Sequence, residues 1–217
     1  SNNVKKIPSF YFVPSRNQND KIHYNIILNQ FFSNYKTTHI PIAFRRNLLI
    51  NKINADNKSI ASFDFEELCT TNLGAADYRI LASTFKIIVL ENVPLLSTNE
   101  KQRDMARRFV TLIDELYEAK VSLVCQAATG PDQLFHHPSY IPSDNFPPND
   151  VVHDDDFVLD NEILLGIDVP SGNGDAPGEI ASVKNLPLAF QRTSSRLIEM
   201  CSSKWWNEQE TYHVLEN

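Results

Sequence analysis

Lys86-Ile-Ile-Val-Leu90, the amphipathic run 102–117 and Val121-Ser-Leu-Val-Cys125 follow one another along the chain, and their order decides the fold. The first and third are short, continuous apolar segments rich in β-branched residues, the pattern of strands covered on both faces. Between them, Met105, Phe109, Leu112, Ile113, Leu116 and Tyr117 share one side of a helix, while Arg107, Thr111, Asp114 and Glu118 share another. Strand, helix and strand at this spacing predict a βαβ unit with parallel strands and a right-handed crossover.

Upstream, 9–13 reads as a short aromatic strand, and 21–32 places Tyr24, Ile27, Leu28 and Phe31 on one helical stripe, with Asn19 or Asp20 as its cap. Segments 40–44, 48–50 and 59–63 alternate as strands, and the turn chemistry of Asn54-Ala-Asp-Asn57 joins the last two as a hairpin. Asp64 is positioned to cap a short helix over 65–69, and Tyr78, Leu81, Ala82 and Phe85 form a further stripe after a turn at Gly74. Beyond Leu188 a globular pattern resumes: Thr193 or Ser194 would cap a helix whose face holds Leu197, Ile198 and Cys201, ending before Trp205-Trp206. The expected fold class is α/β, a βαβ unit with parallel central strands, flanking helices, an N-terminal hairpin region and a long acidic insertion. Residues 1–128 would form the body, 129–187 the insertion, and 188–217 a C-terminal helix completing the body.

Charge marks the insertion. The net charge is −7, yet 129–183 carries eleven carboxylates and no Lys or Arg, which leaves +4 elsewhere. Most of the prolines also fall between 131 and 187, among sparse hydrophobics, too little apolar surface to offset ordering entropy. Only Asp160-Asn-Glu-Ile-Leu-Leu165 within it reads as a helical turn. An excess of +4 spread over the remainder does not amount to a nucleic-acid footprint.

Other classes are set aside by what the chain lacks. No apolar run approaches the roughly 18 residues of a membrane span. The opening residues show neither a secretory core nor an Arg-rich leader, so an address signal is expected to be removed or to lie upstream. Cys69, Cys125 and Cys201 are odd in number and widely spaced, which predicts free thiols in a reducing compartment. His136-His137 and His153-Asp-Asp-Asp156 lack metal-ligand spacing, so no metal site is expected. Four of the six glycines, Gly166, Gly172, Gly174 and Gly178, lie in the acidic stretch well past residue 160, and none of the six belongs to a loop ending in Lys-Ser or Lys-Thr that could cradle phosphate.

Two groups of residues invite a chemical reading. Strand 86–90 running into Glu91-Asn92 has the outline of a metal-holding strand of P-loop ATPases, but an amide at Asn92 cannot serve as a base. No catalytic residue is therefore expected in this fragment. Arg107 and Arg108 in the long helix, and Arg192 and Arg196 four apart near the last one, could read a phosphate or a neighbouring subunit, or pair with Asp114, Glu115 or Glu199.

Phe63-Asp-Phe-Glu-Glu-Leu-Cys69, Leu73-Gly-Ala-Ala-Asp-Tyr78, Val93-Pro94, Ala106-Arg-Arg-Phe-Val-Thr-Leu-Ile-Asp114 with Leu116-Tyr117, and Phe190-Gln-Arg-Thr-Ser-Ser-Arg-Leu-Ile-Glu-Met200 resemble the C-terminal part of AFG-type, ZapE-like AAA-type ATPases. The resemblance covers nearly all the chain outside the insertion. It implies a parent protein whose N-terminal half holds ATP and Mg2+, assembles as a homo-oligomeric ring and, in the mitochondrial branch, acts in quality control of inner-membrane proteins. Arg196, and after it Arg192, become candidates for sensing nucleotide. Arg107 and Arg108 become candidates for a subunit interface. The competing expectation is a client- or partner-binding module without a nucleotide role, in which Trp205-Trp206 and the acidic segment recruit partners.

Overall fold

The computed structural model describes residues 8–16, 18–97, 100–136 and 186–215. Six strands form one sheet: β1 (Tyr11–Phe12), β2 (Tyr35–Ile42), β3 (Arg46–Asn54), β4 (Ile60–Asp64), β5 (Ile87–Val93) and β7 (Ser122–Ala127). Their order across the sheet is β1-β7-β5-β4-β3-β2. β4, β5, β7 and β1 run parallel, with Ile88 opposite Leu123 and Tyr11 opposite Cys125. β2 and β3 add an antiparallel edge, turning at residues 43–45. A separate parallel pair joins β6 (Leu96–Ser97) to β8 (Phe135–His136).

The crossovers run in two directions. From β4 through α2 (Phe65–Cys69) and α3 (Ala75–Thr84) to β5, then through α4 (Glu100–Glu118) to β7, the chain steps steadily toward β1. From β1 through α1 (Gln18–Phe32) it steps the other way, so right-handed connections place α1 on the opposite face from α2, α3 and α4. α5 (Leu186–Met200) packs on α4, and α6 (Ser203–Glu208) closes the β1 edge. There Trp206, fully buried, stacks on Phe10 at 4.0 Å and donates its indole N–H to the Met200 carbonyl at 3.1 Å.

The βαβ unit and the 54–57 turn stand as expected, and Asp64 caps α2 through its bond from the Glu66 amide. Several boundaries differ. Asn19 and Asp20 lie inside α1 rather than capping it, because the helix begins by Gln18. Thr193 and Ser194 are likewise interior to α5 and buried: Thr193 donates back to the Ala189 carbonyl of its own helix (2.8 Å) and Ser194 donates across to the Pro131 carbonyl (2.9 Å), so they are core residues and not caps. Ile198, expected on the apolar face, is exposed at 36%. Phe44, read as a strand residue, sits in the β2–β3 turn. Segment 160–165, His137, His153, Gly166, Gly172, Gly174 and Gly178 lie outside the described residues.

Candidate functional site

In parallel α/β sheets, ligands bind beyond the carboxyl ends of strands, where neighbouring connections leave toward opposite faces. In this chain that point lies between β1, which feeds α1, and β7, which leads toward α5 on the other face. The crevice is bridged by the chain itself. Tyr11 donates its phenol to the Thr129 carbonyl at 2.9 Å, and Ser15 reaches the Ala128 carbonyl at 3.5 Å. Burial, and then neighbouring Cys125, Cys201 and Asp132, push the Tyr11 phenol far above its ordinary range, so it stays a donor.

A nucleotide's phosphates call for free backbone N–H groups of a glycine-rich loop at a helix N-terminus. Residues 13–20 contain neither glycine nor lysine, and the Val13 amide already meets the Asp20 carboxylate at 3.4 Å. An anion there would face a like charge. Residues 13–20 do not supply the glycine-rich phosphate cradle that a Mg-nucleotide needs at this position.

The end of β5 carries the same message. Asn92 adopts a left-handed backbone (φ 58°) at a bulge between Leu90 and Val93, a conformation asparagine tolerates better than most residues. Its side-chain amide donates to Asp64 at 2.6 Å, and its backbone N–H donates to the Gln126 side chain at 3.0 Å. Hydrogen bonds thus tie together the ends of β4, β5 and β7. Glu91 accepts from the Ser62 hydroxyl and pairs with Lys52 at 3.2 Å. Burial, and then Glu91 nearby, raise the phenol of Tyr24 on α1 far above its ordinary value. Both polar residues at this end of the strand, Glu91 and Asn92, are committed to partners within the chain.

Of the four arginines singled out in the sequence, Arg192 and Arg196 of α5 come together against α4. Four apart on α5, Arg192 and Arg196 share one face, and both reach Asp114 on α4: Arg192 binds Oδ2 at 2.8 Å and Arg196 binds Oδ1. Arg196 also pairs with Glu118 at 3.3 Å and lies over the Tyr117 ring at 4.7 Å. Tyr117 in turn donates to Glu199 at 2.8 Å, and that hydrogen bond, more than burial, raises its phenol. Next to this group, Arg79 of α3 forms a two-pronged pair with Glu115 at 2.9 and 3.1 Å. Together these side chains line an open depression. The two guanidinium groups are held unequally. Arg196 is 18% exposed and fixed on three sides, whereas Arg192 is 48% exposed with one carboxylate contact.

Arg107 and Arg108 diverge. Half-buried Arg108 turns toward α2 and meets the Cys69 carbonyl at 3.4 Å. Arg107, also half-buried, lies two turns before Asp114 on the same helical stripe. Trp205 and Trp206 are buried, Trp205 stacking on Tyr117 at 5.0 Å, so they belong to the core and offer no recruiting surface. All three thiols are buried and free.

Sequence reasoning missed Arg46 and Asp77. Arg46, at the start of β3, donates to both oxygens of Asp77 at 2.8 and 2.6 Å and to the Asn72 carbonyl at 2.7 Å, while Asp77 also accepts from the Gly74 and Ala43 amides. Asp77 was visible only as the carboxylate three residues after Gly74, a helix-capping spacing that says nothing of a partner from another strand.

The model of the AFG1-like ATPase family matches residues 16–141. Lactation elevated protein 1 homolog B of Danio rerio is 36% identical over 148 residues, 68% of this chain and 26% of that protein. An uncharacterized protein of Schizosaccharomyces pombe, C115.02c, is 31% identical over 166 residues, 75% of this chain and 31% of that one. The chain thus spans between a quarter and a third of the length of these relatives. No solved structure matches it. With the family model covering more than half of the residues, the chain belongs to the AFG1-like ATPase family.

Proposed function

We propose that this chain is the C-terminal, non-hydrolysing module of an AAA-type ATPase, relaying the nucleotide state of a separate N-terminal half to a neighbouring subunit or a client. ATP and Mg2+ belong to that other half in this reading. The observation that carries it is the pair Arg192 and Arg196 converging on the single carboxylate Asp114 at an open surface, while the crevice at the strand ends is bridged by the chain's own side chains. A guanidinium fork matches phosphate oxygens as well as it matches a carboxylate, so an arriving phosphate competes with Asp114 for the same donors. Arg196 is the first candidate for the sensor, from its place in Arg192-Thr-Ser-Ser-Arg196, and Arg192 the second. Arg107 and Arg108 are assigned to a subunit interface of a homo-oligomeric ring. Family resemblance supports a mitochondrial setting, with inner-membrane proteins as clients for remodelling or quality control.

Full-length protein carrying Arg196→Ala tests the reading: slowed ATP hydrolysis or impaired ring assembly, with the fold intact, is expected. Normal hydrolysis together with normal assembly would remove the sensor role. Crosslinking with an azido-ATP analogue provides an independent check, since label on α5 supports sensing and label confined to the other half removes it.

A further inference from the structure

Phe44 is 84% exposed, more than any other large apolar side chain among the described residues, yet its surroundings hold it in place. It occupies the tip between β2 and β3, where Phe44 and Arg45 both take left-handed backbone (φ 59° each). Turns of this kind favour glycine or asparagine, which adopt such angles at little steric cost. An aromatic residue there is strained and gains no burial.

The tip is nonetheless anchored. Arg46 donates to the Ala43 carbonyl at 3.2 Å and to Asp77, and Asp77 accepts the Ala43 amide at 3.1 Å, so one buried carboxylate clamps both sides of the turn to the start of α3. Arg46 lies 5.8 Å beneath the Phe44 ring. Between the ring and the start of α3 runs a shallow depression lined by Leu73, Gly74, Ala75 and Ala76. Its floor is small and apolar. Beside it at the tip, Arg45 is exposed with no acidic partner among the described residues, whereas Arg46 is already paired with Asp77 and the hairpin's lysines lie at its other end.

We infer that the β2–β3 tip is a docking site for a polypeptide segment that presents an apolar side chain beside carboxylates. The apolar side chain enters between Phe44 and the start of α3, and a flanking carboxylate meets Arg45. A clamped, already ordered aromatic loses little freedom on binding, which is the use that strain and exposure together serve. The concave floor favours an inserted side chain over a flat lipid surface, and Lys52 and Arg46 are already paired with Glu91 and Asp77, which leaves too little free charge for a membrane patch. This inference is independent of Arg192 and Arg196, which lie on α5.

The test uses the intact protein and two short fluorescein-labelled peptides, one alternating Asp with Leu and the other Lys with Leu, read by fluorescence anisotropy. Wild type should bind the acidic peptide and not the basic one, and Phe44→Ala should weaken binding about tenfold or more. Arg45→Glu should have a comparable effect. Phe44→Gly separates binding from folding: it should lose the peptide while its urea midpoint stays level or rises, because glycine suits the left-handed position. Equal binding by wild type and Phe44→Ala would overturn the inference, as would equal binding of the basic peptide. A lowered urea midpoint for Phe44→Gly would also overturn it, by making the ring a support of the fold. So would capture by phosphatidylserine vesicles that depends on Phe44 in the absence of peptide binding.

Discussion

Replacing Asn92 with Asp would restore a carboxylate at the end of β5, and the structure predicts that this costs stability and supplies no base. Asn92 donates to Asp64 at 2.6 Å, so the variant removes a hydrogen bond to a charged group and sets two carboxylates against each other. A hydrogen bond to an ion contributes about 1.5–3 kcal/mol, which solvent exposure of Asn92 reduces here to about 1. Two like charges about 4 Å apart in a watery setting add about 1 kcal/mol more. The backbone is not a confounding factor, because aspartate tolerates the left-handed conformation nearly as well as asparagine. The expected loss is thus about 2 kcal/mol at neutral pH, a fall in Tm of roughly 4–8 °C for a chain of this size. The repulsion in the variant requires both carboxylates, at 64 and 92, to be ionised. The deficit is therefore present when both are ionised and shrinks as pH falls and one of them takes a proton. Urea unfolding at pH 7 and pH 4, with an unchanged slope, measures both the loss and its recovery. A variant within about 0.5 kcal/mol of wild type at pH 7, the usual range of neutral surface changes, or one equally impaired at both pH values, would refute the account.

Asp114→Asn should lower stability by about 1 kcal/mol, since it weakens two partly exposed ion pairs at once, and the loss should diminish in high salt. Trp206→Ala should cost about 3–5 kcal/mol through the cavity it leaves against Phe10 and Phe31, measured by urea unfolding. Burial raises the thiols of Cys69, Cys125 and Cys201 above the ordinary value, so a thiol-reactive dye should label them only on unfolding; rapid labelling of the native protein would contradict the packing.

The parallel core was legible because its signals are local and redundant. Ile87 to Leu90 and Leu123 to Cys125 are apolar without interruption, and only a strand buried on both faces tolerates that. The capping role of Asp64 was legible too, since a cap is made within one turn of chain. Caps assigned to Asp20, Thr193 and Ser194 failed for one physical reason: a short polar side chain that can cap a helix can also bond a neighbouring loop or, as Thr193 does, the preceding turn of its own helix, and only packing chooses. Asp20 found the Val13 amide, and Ser194 found the Pro131 carbonyl. At the candidate site, the spacing of Arg192 and Arg196 revealed a shared face, and Asp114 was already among the partners foreseen for them. That one carboxylate would serve both could not be read from spacing.

Family membership, the parallel order of the inner strands and the absence of a phosphate-binding loop were determined by the sequence alone, because each depends on residue identities within short windows. Tertiary structure decided which groups were left free. It buried Trp205 and Trp206, tied Asn92 to Asp64, gave Arg192 a looser hold than Arg196, and brought Arg46 across 31 positions to Asp77 so that Phe44 stands in solvent. Those outcomes rest on contacts between elements distant in the chain, where geometry, and not local preference, sets which donor meets which acceptor.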